Sequence, residues 1–152
     1  MNMNNINGKR YKIGEVARML EISVETIRMY EREGILLIEK TETGQRQFNS
    51  DDVHWIGCIR RLIKEKGLNI EGIRRLLALL PCWNLRPCTD EEKRICPALL
   101  GATQPCWTMK DKIPEACRAD DCRTCNVYQS AIHCDNLKRV FYQMEELSIS
   151  NS

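Results

Sequence analysis

Apolar positions at the start of the chain recur at the spacing of short amphipathic helices. Between residues 12 and 20, four apolar side chains follow one another at intervals of three and four residues, which places them on one helical face. Ser23 is a favourable N-cap with Glu25 in the turn after it, so a second helix is predicted from there to about Glu33, ended by Gly34. Two short helices joined by a tight turn form a helix-turn-helix.

A β-hairpin is predicted directly after this helix pair. Two apolar or aromatic segments, residues 35–38 and 46–48, flank a polar stretch in which Thr43 and Gly44 favour a turn. Arg46 would then lie on the hairpin, beside the helices. This arrangement is typical of a wing attached to a helix-turn-helix.

Two further helices complete the first 80 residues. Asn49 or Ser50 is predicted to cap the third helix, which Gly67 ends. The fourth helix is predicted to begin near Asn69 and to stop before Pro81, because proline cannot continue a helix. Its predicted buried residues are Ile73, Leu76, Leu77 and Leu80.

The polar face of the second helix carries side chains of the types that can contact nucleic acid. Hydroxyls, a phenol and guanidiniums would project from one element, and such groups suit phosphate oxygens and base edges. A purely structural helical hairpin is the alternative, because many amphipathic helix pairs bind no DNA. The residues on this face are Ser23, Thr26, Arg28, Tyr30 and Arg32.

The order and spacing of these features resemble one known family. Residues 11–36 read YKIGEVARMLEISVETIRMYEREGIL, and residues 43–79 read TGQRQFNSDDVHWIGCIRRLIKEKGLNIEGIRRLLAL. Together they resemble the winged helix-turn-helix of the MerR family of transcription regulators over residues 11–80, about half of the chain. The wing departs from the commoner Gly-Tyr-Arg-aromatic pattern, since Gln45 stands before Arg46.

The resemblance implies a set of DNA contacts and a mode of action. It implies that Ser23, Thr26, Arg28 and Tyr30 lie on the recognition helix and that Arg46 is the wing arginine. It also implies that Arg60, Arg61 and Lys64 lie near the flanking DNA backbone. Members of the family bind double-stranded promoter DNA as homodimers and act by distorting the promoter, which makes RNA polymerase a further expected partner.

An apolar stripe near the end of the chain predicts one more helix, over residues 127–147. Its apolar positions alternate at three- and four-residue steps, as in helices that pair with a partner. We expect this helix to mediate dimerisation. The alternative is that the stripe covers the rest of its own chain. The positions are Val127, Ala131, Cys134, Leu137, Phe141, Met144 and Leu147.

Composition changes near Pro81. Of nine cysteines, eight fall between Cys82 and Cys134, among prolines and few aliphatic side chains. Charge changes too, from a net +3 over residues 1–80 to a net −1 over the remainder. The chain is therefore predicted to be mainly α, with a winged helix-turn-helix DNA-binding domain at 11–80, a small cysteine-rich metal-binding or redox-sensing module at 81–126, and a C-terminal helix at 127–147.

The cysteines are predicted to bind a metal centre. A segment with so little apolar bulk gains little from burial, and a metal supplies folding energy instead. The spacing Cys117-x4-Cys122-x2-Cys125 suits an iron-sulfur cluster, the first choice, or zinc, the second. Thiol-disulfide switching without metal is the third possibility. The candidate ligands are Cys82, Cys88, Cys96, Cys106, Cys117, Cys122 and Cys125.

The predicted protein is a cytoplasmic regulator rather than an enzyme. No apolar run approaches the roughly 20 residues that cross a bilayer, and the first residues lack the apolar segment of a secretory signal. No nucleotide-binding glycine loop, catalytic Cys-His pairing or paired carboxylates accompany the cysteines. The remaining alternatives are a constitutive repressor with a structural zinc site and a redox or electron-transfer protein.

Overall fold

The chain divides into two compact units, and the boundary between them along the sequence falls within one helix. The computed structural model describes residues 8–132 except 81, 87, 102 and 120, and only the backbone of residues 83 and 84. The units are Met1–Ile73 and Arg74–Ser152, here called the first and second units. The predicted mainly α fold class is confirmed, since helices account for nearly all regular structure in the described part of the chain.

The elements of the first unit and its continuation are α1 (Ile13–Leu20), α2 (Val24–Arg32), β1 (Glu39–Lys40), β2 (Arg46–Gln47), α3 (Ser50–Lys64) and α4 (Ile70–Ala78). Those that follow are α5 (Cys82–Leu85), α6 (Asp90–Ile95), α7 (Pro97–Gly101), a 3₁₀ helix (Cys106–Met109), α8 (Glu115–Arg118) and α9 (Asn126–Ala131).

The predicted helix-turn-helix is confirmed. Ser23 caps α2 by accepting a hydrogen bond from the backbone N–H of Thr26 at 3.0 Å. Gly34 follows α2 with a φ of +79°, as its position predicted. The tight turn between α1 and α2 depends on Glu21, whose φ of 55° lies in the left-handed region that costs most residues free energy.

The wing is a short antiparallel hairpin that begins later than predicted. β1 pairs with β2 in the register Glu39 to Gln47 and Lys40 to Arg46, and the turn between them contains Gly44 at a φ of +84°. The prediction of a first strand at residues 35–38 is wrong. Side chains at the start of that segment are fully buried in the core instead, and the Trp55 indole N–H donates to the carbonyl of residue 35 at 2.9 Å.

The core of the first unit forms where α3 meets the two shorter helices. Asn49 caps α3, and the Asn49 backbone N–H donates in turn to the Asp52 carboxylate at 2.9 Å, so the cap is reciprocal. The fully buried apolar side chains of this core include Val16, Ile27, Phe48, Trp55, Ile56 and Ile59.

Three of the four residues predicted to be buried on α4 are buried. Ile73, Leu77 and Leu80 are at most 3% exposed, whereas Leu76 is 43% exposed, so its predicted burial is wrong. Ile73 and Leu77 lie about one turn apart on one side of α4, and Leu80 follows two residues after the end of that helix. Leu76 lies at the margin of that face.

The second unit has a small core of aromatic and aliphatic side chains. Trp107 and Tyr128 pack edge to face with ring centroids 5.1 Å apart, and Val127, Ala131 and Ile132 are buried beside α9 in their own chain. The beginning of the predicted dimerisation helix thus covers its own unit. Residues 133–147 of that helix lie outside the described residues. Every helix in the part that the structure describes is too short or too polar to span a bilayer.

Candidate nucleic-acid interface and metal centre

The exposed face of α2 carries a hydroxyl pair at its first turn and a guanidinium one turn later. The Ser23 and Thr26 hydroxyls lie 2.8 Å apart, and both residues keep part of their surface exposed. Arg28 forms an i,i+3 ion pair with Glu25 at 2.7 Å and remains 44% exposed. An exposed pair of this kind contributes little stability, so Arg28 can exchange Glu25 for a phosphate or a base edge at small cost.

Tyr30 differs from its predicted place on the polar face of α2. It is only 3% exposed, and burial raises the pKa of its phenol while the positive charge of Arg60 opposes that rise. Tyr30 lies three residues after Ile27, which is fully buried, and therefore shares the core-facing side of the helix. Its side chain therefore packs in the core on the buried side of α2.

Glu31 ties the wing to the recognition helix. One carboxylate oxygen accepts a hydrogen bond from Arg46 Nε at 2.6 Å, and the other lies 3.1 Å from Lys40 Nζ. Burial alone would raise the pKa of Glu31, but the hydrogen bonds and charges of Arg46 and Lys40 outweigh it and hold the pKa below its usual value. Both wing strands are thus fixed to α2 through a single carboxylate.

The basic residues of α3 are placed in two ways. The Arg60 guanidinium donates to the Leu20 carbonyl at the end of α1, which leaves it half-buried. Arg61 and Lys64 are exposed near the end of the same helix, and an Arg61 N–H lies 3.3 Å from the Cys58 sulfur. Arg60 therefore also braces the helix-turn-helix, a role that its sequence position did not reveal.

The candidate metal ligands of the second unit surround one cavity of about 40 Å³. Room for one water takes about 10–15 Å³, so the cavity is large enough for an ion. Its wall includes apolar side chains such as Trp107, Ile113 and Tyr128, and the charged residues Arg86, Glu92 and Lys93. The cysteines that line it are Cys82, Cys88, Cys96, Cys106, Cys117, Cys122 and Cys125.

Four of the thiols around this cavity have a raised pKa, which favours their protonated form. Burial raises the pKa of Cys88, Cys117 and Cys122, and burial together with neighbouring thiols raises the pKa of Cys106 to about 12. A neutral thiol is a weak metal ligand, because the thiolate is the coordinating form. A metal that binds here must therefore displace protons.

The donors fit a soft metal, although they do not already converge on one point. Zinc, copper(I) and iron-sulfur clusters bind well to thiolates, whereas hard cations bind oxygen ligands. Among the described residues, no three Cys, His, Asp or Glu side chains are arranged so that they could hold one ion. A tetrahedral zinc site would require sulfur atoms about 2.3 Å from the ion. Side-chain rotations around the cavity would have to accompany binding.

Comparison with known proteins identifies the first unit. The family model described as "MerR HTH family regulatory protein" matches residues 11–80. Those residues are a MerR-family helix-turn-helix domain. The chain is thus a DNA-binding transcriptional regulator and not an enzyme, in agreement with the descriptions of the relatives named next.

Two relatives of this MerR-family chain differ in how much of it they match. The HTH-type transcriptional regulator ZntR of Escherichia coli K12 is 27% identical over 135 residues, which cover 84% of this chain and 90% of the relative. The mercuric resistance operon regulatory protein of Bacillus cereus is 35% identical over 72 residues, 47% of this chain and 54% of the relative.

One solved structure resembles the whole MerR-family chain at low similarity. It is the crystal structure of HiNmlR, a MerR family regulator lacking the sensor domain, bound to promoter DNA. Its TM-score is 0.40 at 18% identity, with 93% of this chain and 82% of that chain covered.

Two residues of the MerR-family chain stand out in the structure although sequence reasoning missed them. Glu31 joins the wing to α2, and Arg86 lies among the thiols of the cavity. The sequence indicates only that Glu31 lies one turn after Ile27, on the helix that is predicted to contact DNA. No spacing or composition singles out Arg86 from the other basic residues.

Proposed function

We propose that this regulator binds promoter DNA as a homodimer and that a thiolate-ligated metal centre in its second unit controls that binding. The observation that carries the proposal is the gathering of seven cysteine side chains around one small cavity. These cysteines span more than 40 positions of the sequence, so only the fold of the second unit brings them together.

The DNA contacts are proposed on α2, the wing and the end of α3. Ser23, Thr26 and Arg28 would face a groove, because they occupy the exposed first turns of α2. Arg46 would reach the DNA from the wing, in an orientation that Glu31 fixes. We propose backbone contacts for Arg60, Arg61 and Lys64, since phosphate contacts position a domain without specifying sequence.

The metal centre is proposed to be an iron-sulfur cluster or zinc, held by thiolates from the seven cysteines of the cavity. Either group would supply positive charge that stabilises several thiolates at once, and its binding free energy would add to the folding free energy of the unit. The B. cereus relative is described as a mercuric resistance operon regulatory protein, which supports metal as the signal. Thiol oxidation without metal is the competing outcome of the test.

Control of transcription would follow from the coupling between the two units. Loading or loss of the centre would change the order of the second unit, and thereby the distortion of DNA on which RNA polymerase depends at such promoters. Dimerisation would use the helix that the sequence predicts over residues 127–147.

A paired experiment tests the proposal on the full chain. The protein is purified without oxygen, its metal and sulfide are measured, and its preferred duplex is selected from a random library. We expect a thiolate-bound metal, with a DNA Kd that differs at least tenfold between loaded and metal-stripped protein. The double substitution Cys122→Ser with Cys125→Ser should abolish both metal binding and the response of Kd to metal.

Variants of the DNA face give the matched control. Arg28→Ala and Arg46→Ala should each weaken DNA binding by about 1–3 kcal/mol at unchanged metal content, because each removes a charged contact. Arg94→Ala, an exposed position on α6, should leave the Kd unchanged. Metal content without any change of Kd would indicate a constitutive structural site. Unchanged affinity in both DNA-face variants would show that the proposed contacts are wrong.

A further inference from the structure

We propose that Arg86 is the charge-balancing residue of the thiol cavity, a fixed cationic hydrogen-bond donor that stabilises the anionic metal-thiolate centre. The inference rests on the proposed metal centre and adds the residue that tunes it. Arg86 would act on the ligands rather than on the metal itself, as a positioning residue.

The backbone places Arg86 at the edge of the cavity. Its N–H donates to the Cys82 carbonyl at 3.0 Å, which continues the single turn of α5 by one residue. Arg86 thus follows the first cavity cysteine by four residues, so both side chains project from the same side of that turn. Both line the cavity.

The guanidinium bridges two of the segments that carry the other thiols. One terminal nitrogen lies 3.9 Å from the sulfur of Cys125, and Cys125 is the N-cap residue of α9. The other donates to the Ala116 carbonyl, directly before Cys117 in α8. A planar fork that is anchored on one side presents its remaining N–H groups in a fixed direction, here toward the cavity sulfurs.

The charge of the cavity wall indicates which form of the thiols the Arg86 guanidinium would stabilise. With all thiols neutral, Arg86 and Lys93 carry two positive charges against one negative charge on Glu92, so the wall is net positive. A guanidinium against neutral thiols gains little, because a thiol sulfur is a weak acceptor. A divalent ion with four thiolates carries a net charge of −2, and a neighbouring guanidinium would offset part of it.

Lys93 is a weaker candidate for the same role. Its ammonium lies 4.0 Å from an Asp90 carboxylate oxygen and next in sequence to Glu92, so carboxylates already balance it. The Arg86 guanidinium contacts the Cys125 sulfur and donates to the Ala116 carbonyl. Arg86 therefore directly contacts a cavity sulfur.

The test measures Zn²⁺ affinity of the full reduced chain by competition with a chromophoric chelator. Arg86→Gln should weaken Zn²⁺ binding about 10- to 100-fold, the usual effect of losing a partner of a metal ligand, with the number of bound ions unchanged. Arg86→Lys should recover most of the affinity, because it retains the charge. Arg118→Gln, an exposed arginine outside the cavity, should bind within twofold of wild type.

Each result decides between the proposals. Unchanged affinity in Arg86→Gln overturns the inference while leaving the metal centre intact. Equal losses in Arg86→Gln and Arg86→Lys, with matching circular dichroism changes in the metal-free chains, would show that Arg86 acts only by anchoring α8, which also overturns it. A wild-type chain that binds neither Zn²⁺ nor an iron-sulfur cluster after reconstitution would overturn the proposed function itself.

Discussion

Alkaline pH should destabilise the metal-free second unit through Cys106. The pKa of this thiol is raised to about 12 in the folded chain, mainly by burial, whereas an unfolded thiol titrates near 9. The folded state therefore retains a proton that the unfolded state releases between these values. The contribution of Cys106 is fully present below pH 9 and is lost as pH rises toward 12.

The magnitude follows from the difference between the two pKa values. Each pH unit inside the window removes at most about 1.4 kcal/mol, so three units would remove at most about 4 kcal/mol. Between pH 9 and 10.5, the loss attributable to Cys106 should therefore approach about 2 kcal/mol. This loss would be a large fraction of the stability of a small unit.

Urea denaturation of the reduced, chelator-treated chain from pH 7.5 to 10.5 measures this loss. Cys106→Ala and Cys106→Ser both lack the titrating thiol but fill its place differently, so a flatter pH dependence that they share belongs to the thiol. Lysines and tyrosines titrate in the same range, and their effects cancel in the comparison with wild type. Parallel curves for all three proteins would refute the reasoning.

Two further predictions concern the first unit. Glu31→Gln removes the carboxylate that pairs with Arg46 and Lys40 and should lower stability at pH 7 by about 1 kcal/mol, since the network is partly exposed. Because the pKa of Glu31 is lowered, wild type should lose this advantage as pH falls through that pKa, so that the two urea midpoints converge in acid; a constant gap would contradict it. Asn49→Ala removes half of the reciprocal cap with Asp52 and should cost about 0.5–2 kcal/mol, measured by thermal unfolding, and an unchanged Tm would count against the cap.

Local signals predicted the elements of the first unit well because they act over a few residues. Ser23 and Asn49 cap helices where their side chains can reach the first free N–H groups, and Gly34 takes the positive φ that other residues avoid. The capping polar groups and glycines therefore mark helix ends in the sequence itself. Nothing comparable marks Glu21, which adopts a positive φ without being glycine.

Tertiary packing explains the predictions that failed. The segment from Ile35 has the composition of a strand. The side chains of its first residues are nevertheless buried in the core, and the Ile35 carbonyl accepts a hydrogen bond from the Trp55 indole. Tyr30 carries a polar group but presents it from a buried face. In both cases the side-chain type allowed either outcome, and the neighbouring helices decided it.

In the second unit, too, the sequence shows which residue types are present, whereas the fold determines which of them lie close together. All seven candidate ligands were evident from the sequence, but the short helices and loops between them have no periodicity that predicts which thiols meet. Their convergence on one cavity, with Arg86 between α8 and α9, depends on the path of the whole segment. The set of candidate ligands was therefore predictable, and the position of Arg86 beside them was not.

Control by a thiolate centre is physically consistent with the weakness of this unit on its own. Its apolar core is small, burial raises the pKa of several of its thiols, and the Arg86 guanidinium lies beside the Cys125 sulfur, which is a weak acceptor while it is protonated. Each of these costs is relieved when a soft cation replaces the thiol protons, because the thiolates then gain both a metal bond and a cationic neighbour. A unit balanced in this way would respond to its ligand by a change in order, and since it begins within α4, that change would be transmitted along the helix that leads out of the DNA-binding domain.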